Sequence, residues 1–176
     1  MRLNGASRTV AACLFLLVTG TAIAHDERGD SNALLKGTYR IFTQTSGVGS
    51  TAHFYFVGVI TYDGKGNARM TDRGTIIDSN GNSATTPPSF GETGIFTYEV
   101  KRDGSFTQEG IFTSNPDESY QYRITGVKWV GQIGADNSVL ILSGAIPTEP
   151  STFCDSQGCS LRFGGFSGTA VRIRHE

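Results

Sequence analysis

The sequence predicts an all-β protein in which eight antiparallel strands close into an up-and-down barrel. Residues with high β-propensity recur in short runs from about position 36 onward. Turn signals such as Asn-Gly and Asp-Gly separate these runs, and several runs carry a glycine in their interior. Interior glycines allow the strong coiling that a small closed barrel requires. A two-sheet β-sandwich is the alternative architecture.

The eight predicted strands follow one another with short connections. They lie at residues 36–45, 51–62, 68–77, 94–101, 105–114, 119–131, 138–146 and 161–174. The clearest hairpin signal is Asp103 followed by Gly104, which stands between two alternating runs. Before the first strand, residues 31–37 predict a single capped turn that plugs one end of the barrel. An outer-membrane barrel is disfavoured because charged residues such as Glu109 lie on the outward faces.

The N-terminal segment predicts export. Arg2 and Arg8 lie beside a short apolar run, and the Ala-Ile-Ala sequence at 22–24 is a suitable cleavage site. The apolar run is shorter than the roughly 20 residues that a membrane-spanning helix needs. We therefore expect a signal peptide at 1–24, a flexible tail at 25–34 and a single barrel domain at 35–176, in a secreted or periplasmic protein.

The cysteines support the same compartment. Cys13 belongs to the predicted signal peptide, which leaves Cys154 and Cys159 as a pair. An even pair of cysteines in an exported chain predicts a disulfide, here across a small loop. A redox or metal role is disfavoured because no histidine lies near the pair.

Composition and charge exclude several kinds of partner. The chain has 15 Lys+Arg against 16 Asp+Glu, so it lacks the basic excess of a nucleic-acid-binding protein. After the signal peptide, no other segment is long and apolar enough to predict a membrane-spanning helix. His25, His53 and His175 show no metal-ligand spacing. We expect neither a metal nor a cofactor, and the oligomeric state is left open.

Alternation along the strands places most aromatic residues on one face, which predicts an aromatic barrel interior. An eight-stranded barrel can enclose one small ligand, and ligand sites are mostly apolar. The predicted lining consists of Tyr39, Phe54, Phe56, Phe96, Tyr98, Phe106, Phe112, Tyr120 and Tyr122. Trp129 has the opposite parity to Tyr120 and Tyr122, which predicts that it covers the exterior or marks a subunit contact.

Chemically active residues are few, and no catalytic residue is predicted. Asp72 shares a face with Met70 and Gly74, so it is the best candidate for a carboxylate inside the barrel, where its pKa would be raised. The interpretation that the sequence favours for Asp72 is a solvated charge at the rim. Three functions stay open: a barrel that binds a small apolar or aromatic ligand, a structural or interaction module of the cell envelope with a packed core, and a barrel-type cyclase-like enzyme.

Two short segments carry a family resemblance. Gly37 and Tyr39 open the first predicted strand and Arg172 stands in the last, a pattern that resembles the lipocalin (calycin) family. The family has tryptophan where this chain has Tyr39, and its middle motif is absent. The segments 58–67 and 94–98 also resemble small exported bacterial β-barrels of unassigned function. The resemblance implies a barrel architecture and does not extend to an activity.

Overall fold

The fold, seen in a computed structural model, is described for residues 31–47, 53–77, 89–144 and 150–173. Its strands are β1 Lys36–Gly47, β2 His53–Asp63, β3 Asn67–Ile77, β4 Ser89–Val100, β5 Ser105–Ser114, β6 Tyr122–Ile133, β7 Val139–Gly144, β8 Ser151–Asp155, β9 Gly158–Arg162 and β10 Gly164–Arg172. The predicted signal peptide and residues 25–30 lie outside the described residues. Within the described ranges, no helix has the length and apolarity that a membrane crossing demands.

Eight strands form a closed ring in the order β1-β2-β3-β4-β5-β6-β7-β10, and β10 pairs again with β1. Every pairing in the ring is antiparallel. The predicted fold class is therefore confirmed, and the sandwich alternative is wrong. In β2, β4 and β5 the residues of one parity are more buried than those of the other, as expected when one face of a sheet lines the interior of a barrel.

The remaining strands, β8 and β9, form a hairpin that pairs with the N-terminal half of β6. β7 pairs with the second half of β6, from Trp129 to Ile133, whereas β8 pairs with its first half, from Tyr122 to Thr125. The disulfide between Cys154 and Cys159 is present and joins the two strands of this hairpin. The segment predicted as a loop is thus a short extension of the sheet.

The two ends of the barrel differ in their connections. At one end, which we call the closed end, three tight turns join β2 to β3, β4 to β5 and β6 to β7. In each turn an aspartate accepts a hydrogen bond from the backbone N–H two residues later: the aspartates are Asp63, Asp103 and Asp136, at 2.6, 2.9 and 3.1 Å. Such side-chain caps fix the reversal of the chain. At the opposite, open end, the β1–β2, β3–β4 and β7–β8 connections lie outside the described residues.

The predicted single turn before β1 is confirmed, and it covers the closed end. Leu35 is fully buried there. The side-chain oxygen of Asn32 accepts a hydrogen bond from the backbone N–H of Val100 at 2.8 Å, and the hydroxyl of Tyr98 donates to the carbonyl of Leu35 at 2.8 Å. Asn32, which the sequence assigns to the N-terminal tail, therefore packs against the barrel, whereas Ala33 and Leu34 are exposed.

The residues that carry the family resemblance meet at the same end. Tyr39 and Arg172 are Cα partners across β1 and β10. The guanidinium of Arg172 donates to the carbonyl of Lys36 at 3.0 Å and lies against Gly37. This contact ties the last strand of the ring to the start of the first, so the three residues help to close the barrel.

A β-bulge in β6 changes which residues face the interior. Phe112 pairs with Ile124 while Gly110 pairs with Val127, so β6 contains one extra residue at this point, and Gly126 has a φ of +70°. The expectation that Trp129 lies outside is wrong, because the extra residue shifts the alternation by one. Trp129 is only 4% exposed and lies inside the barrel.

Candidate functional site

The nine rings predicted as ligand lining lie at two levels of the molecule. Five of them are at most 6% exposed and belong to the packed core: Tyr39, Phe96, Tyr98, Phe106 and Phe112. Phe54, Phe56 and Tyr122 instead face the interior near the open end. Tyr120 lies just before β6 and is half exposed. The alternation therefore indicates which side of the sheet a ring faces, whereas the structure shows how deeply the ring lies in the barrel.

Aromatic packing fills the half of the barrel nearer the closed end. The Tyr62 ring lies edge-on to the rings of Tyr39, Tyr98 and Phe106, with centroids 5.8, 5.1 and 6.3 Å away. Its hydroxyl donates to the side-chain oxygen of Gln108 at 2.8 Å. Burial raises the pKa of Tyr62 above its ordinary value. These contacts are those of an ordinary protein core.

Four rings form a layer near the middle of the strands, which we call the aromatic floor: Phe96, Phe112, Trp129 and Phe166. The Phe96 ring centroid lies 5.2 Å from that of Phe112 and 5.0 Å from that of Trp129. The Trp129 ring stacks on Phe166 at 4.1 Å. The floor separates the packed half from the half nearer the open end.

A second group of rings, the aromatic rim, surrounds the open end: Phe54, Phe56, Phe90, Tyr120, Tyr122 and Phe153. Neighbouring rings are in contact, with centroid distances of 5.7 Å for Phe56–Phe90, 6.0 Å for Phe90–Tyr122 and 5.4 Å for Tyr122–Phe153. Tyr122 is buried, but the other five rings are partly or half exposed. The rim is therefore an apolar surface that the described residues leave partly uncovered.

A pair of carboxyl groups lies inside the barrel between the rim and the floor. Asp72 and Glu92 are Cα partners across β3 and β4, and their exposures are 6% and 4%. Gly58 is the partner of Asp72 on β2, and a Cβ there would lie 2.4 Å from the Cβ of Asp72. A glycine is needed at this position because the Asp72 side chain occupies the space.

The two carboxyl groups differ in their hydrogen bonds. Glu92 Oε2 accepts a hydrogen bond from the hydroxyl of Tyr122 at 2.6 Å. Neither side-chain oxygen of Asp72 has a partner among the described residues. Arg73 does not neutralise the pair, because its exposed guanidinium lies 3.7 Å from the carboxylate of Glu118. The pair is thus a buried acidic site with unused hydrogen-bonding capacity.

Burial shifts the titration of this site. Burial first, and then the charge of Glu92, raise the pKa of Asp72. Burial also raises the pKa of Glu92, while the hydrogen bond from Tyr122 lowers it. We infer that Asp72 holds a proton most firmly and that Glu92 ionises first. Such a pair can bind hydrogen-bond donors or exchange a proton with a bound molecule.

Among the described residues, the carboxyl pair does not belong to a cluster of metal ligands. Across the described parts of the chain, no cluster of three or more His, Cys, Asp or Glu side chains is placed to hold a metal ion. The chemistry of the site therefore comes from the two carboxyl groups and the hydroxyl of Tyr122.

The sequence raised one member of this carboxyl pair as a candidate. The interior position of Asp72 corresponds to the less favoured of its two interpretations, and the favoured one, a solvated charge at the rim, is wrong because Asp72 is only 6% exposed. Glu92 and Phe90 were missed because the predicted fourth strand begins at 94, whereas β4 begins at Ser89. The sequence does contain a pattern that could have found them. Phe90, Glu92 and Gly94 are spaced by two residues from one another and from Phe96, so they lie on the same face of β4 as Phe96.

Comparisons with known proteins show similarity of shape alone. No protein-family model and no curated protein matches the chain. Among solved structures, it is similar to a redesigned β-barrel, mFAP1, bound to DFHBI, with a TM-score of 0.41, 15% identity, and coverage of 81% of this chain and 99% of that chain. The corresponding values are 0.37, 20%, 79% and 99% for the redesigned β-barrel mFAP0 bound to DFHBI. They are 0.41, 16%, 83% and 99% for EF1p2_mFAP2b bound to DFHBI.

Proposed function

We propose that this protein is an exported β-barrel that binds a small aromatic molecule at the open end of its interior. One observation carries the proposal: the rim rings remain partly exposed, whereas similar rings in the other half of the barrel are fully packed. A concave group of exposed aromatic side chains beside a few polar groups is the usual composition of a ligand site.

The proposed site is smaller than the predicted one. It keeps Phe54, Phe56, Tyr120 and Tyr122 from the predicted lining and adds Phe90 and Phe153. Of the five predicted rings in the packed core, Phe96 contacts Phe112, and the other three contact Tyr62. A ligand among these rings would have to displace existing contacts. The packed-core interpretation therefore suits the closed half of the barrel, and ligand binding suits the open half.

Export remains part of the proposal. The disulfide between Cys154 and Cys159 is compatible with an oxidising compartment such as the periplasm or the extracellular space. The expected signal peptide at 1–24 supports the same location. The mature chain would then consist of a short N-terminal segment and the single barrel domain at 35–176.

The experiment is a titration of the purified mature protein with the apolar probe N-phenyl-naphthylamine, followed by probe fluorescence and by Trp129 emission. We expect saturable binding, and we expect Phe56→Ala and Phe90→Ala each to weaken it by about tenfold, as is usual for aromatic anchors. Phe42→Ala is the matched control, because Phe42 is exposed on the outer wall. Unsaturable binding, or equal losses in all three variants, would contradict the proposal.

A further inference from the structure

The carboxyl pair beneath the rim restricts what kind of aromatic molecule can bind. Resting on the proposed function, we propose that the ligand carries a protonated amine, which binds between Asp72 and Glu92 while its aromatic part contacts the rim. The ligand class is thus a small arylalkylamine. Hydrogen bonding, charge and ring geometry each support this assignment.

Hydrogen bonding is the first argument. Both oxygens of Asp72 are buried and have no partner among the described residues, although buried polar atoms in proteins nearly always have one. Asp72 points inward, because Thr71 and Arg73 on either side of it are exposed. An ammonium group carries three donors and no acceptor. It can therefore donate to Asp72 and Glu92 together, whereas Glu92 now has only the hydroxyl of Tyr122.

Charge is the second argument. Two neighbouring buried acids disfavour ionisation unless a cation is near. Arg73 contacts Glu118 on the outer side, and the guanidinium of Arg162 lies 5.1 Å from the ring centroid of Phe153 at the rim. The described chain thus forms no ion pair with Asp72 or Glu92. A cationic ligand supplies the missing charge, while a carboxylate ligand would be repelled.

Ring geometry is the third argument. Gly74 precedes Asp72 on the path from the open end, and its Cα partners are Phe56 and Phe90. A Cβ at Gly74 would lie 2.6 Å from the ring of Phe90 and 2.7 Å from the ring of Phe56. The two rings therefore meet over this glycine, directly beside the acids. Aromatic rings attract ammonium groups and also pack against an aromatic ligand.

The experiment compares three probes of similar size by isothermal titration calorimetry near neutral pH: phenethylamine, phenethyl alcohol and phenylacetate. We expect the amine to bind at least about tenfold more tightly than the alcohol, the usual effect of a charge-assisted hydrogen bond. Phenylacetate is expected to bind most weakly. Tightest binding of phenylacetate would overturn the inference.

Variants separate the carboxyl pair from the rim. A bound ammonium group favours the ionised form of both acids. Asp72→Asn and Glu92→Gln are therefore expected to weaken amine binding by about tenfold and to change alcohol binding less than about twofold. Phe56→Ala is expected to weaken binding of both probes. Glu109→Gln, which alters an exposed carboxylate on the outer face of β5, is the matched control. Unchanged Trp129 emission checks that each variant is folded.

The outcomes distinguish the two proposals. If the amine and the alcohol bind equally, or if Asp72→Asn leaves amine binding unchanged, the amine inference is overturned and rim binding stands. The same holds if the amine fails to bind while N-phenyl-naphthylamine binds. If none of the four probes binds, the proposed function fails as well.

Discussion

The two ends of this barrel use the same strands and similar aromatic residues, yet they differ in how their polar groups are partnered. At the closed end the hydroxyls of Tyr39, Tyr62 and Tyr98 donate to acceptors supplied by the chain itself. At the open end Asp72 has no such partner among the described residues. In the same part of the chain, the side-chain N–H₂ of Gln108 also lacks a partner in the packed half, but it is neutral. The difference indicates that the closed end is built for stability, and the open end is where we propose that a ligand binds.

The largest expected effect tests this difference through packing. Phe106, which is 2% exposed, belongs to the packed half, and Phe106→Ala is expected to cost about 3–5 kcal/mol in the free energy of unfolding. Phe54 lies partly exposed at the rim, and Phe54→Ala is expected to cost less than about 2 kcal/mol. Urea denaturation of both variants measures the contrast. Equal losses would show that the two ends are packed alike.

The second effect concerns Asp72, the buried carboxyl group that has no hydrogen-bond partner among the described residues. Asp72→Asn is expected to stabilise the protein by about 1–3 kcal/mol near pH 8, because asparagine cannot ionise, whereas the carboxyl group of Asp72 must keep its proton or bury a charge in the folded state. The folded state raises the pKa of Asp72 above its ordinary value of 3.8, so the folded chain keeps a proton that the unfolded chain releases. Stability of the wild type should therefore fall as the pH rises above that value.

Thermal unfolding between about pH 5 and pH 9 checks this sign. The Asp72→Asn variant should show a smaller fall with pH than the wild type. Part of the fall should remain, because Glu92 also titrates with a raised pKa. Tyr122 and Glu118 are the other titratable groups that act on this site, from β6 and from the turn before it. An identical slope in the wild type and Asp72→Asn would contradict the assignment.

A third, smaller effect is the pH dependence of ligand binding. As the pH rises, Glu92 loses its proton and can accept the ammonium group, so phenethylamine affinity should increase, by up to about tenfold across neutral pH. Binding of phenethyl alcohol should change little over the same range. Calorimetric titrations at several pH values measure both. Amine affinity that falls with rising pH would contradict the ionisation order given to the pair.

The smallest effect is expected at a closed-end turn. Hydrogen bonds from Asn67 lower the pKa of Asp63 to about 2, so this carboxylate stabilises the fold above its ordinary pKa and loses that effect as the pH falls towards 2. The group is exposed, so Asp63→Ala should cost no more than about 1 kcal/mol at neutral pH. Asp117→Ala, in the turn between β5 and β6, is the control. A larger loss of stability in Asp117→Ala than in Asp63→Ala would show that the hydrogen bonds of Asp63 do not stabilise their turn.

Much of the fold could be predicted because it depends on local periodicity. Alternating apolar and polar residues, together with turn residues, located all eight strands of the ring, and they made Asp72 a candidate for the interior although a rim position was favoured. The hairpin of β8 and β9 could not be found in this way, because its pairing depends on the part of β6 that β7 leaves free. Local sequence does not reveal such a tertiary partner.

The candidate site was predicted less completely, for two physical reasons. Parity gives the side of the sheet that Tyr39 or Phe56 faces, but the depth of each ring depends on what the other strands place around it. Trp129 was assigned to the wrong face because the bulge at Gly126 shifts the alternation of the strand by one residue. The bulge requires a positive φ, and the sequence does not indicate which of its glycines adopt one. Local sequence therefore indicated an aromatic interior without its division into floor and rim.

Among the described residues, the ladder between β10 and β7 is shorter than the ladder between β10 and β1. Residues 164–166 of β10 pair with β1, whereas the described pairing of β10 with β7 begins at Ser167, and the β8–β9 hairpin is held by β6. Within the described residues, no ladder joins that hairpin to β10. The hairpin therefore extends the wall of the open end through its ladder with β6 and through side-chain contacts such as the stacking of Tyr122 on Phe153. A substitution of Phe153 would change the rim without removing any side chain of the eight ring strands.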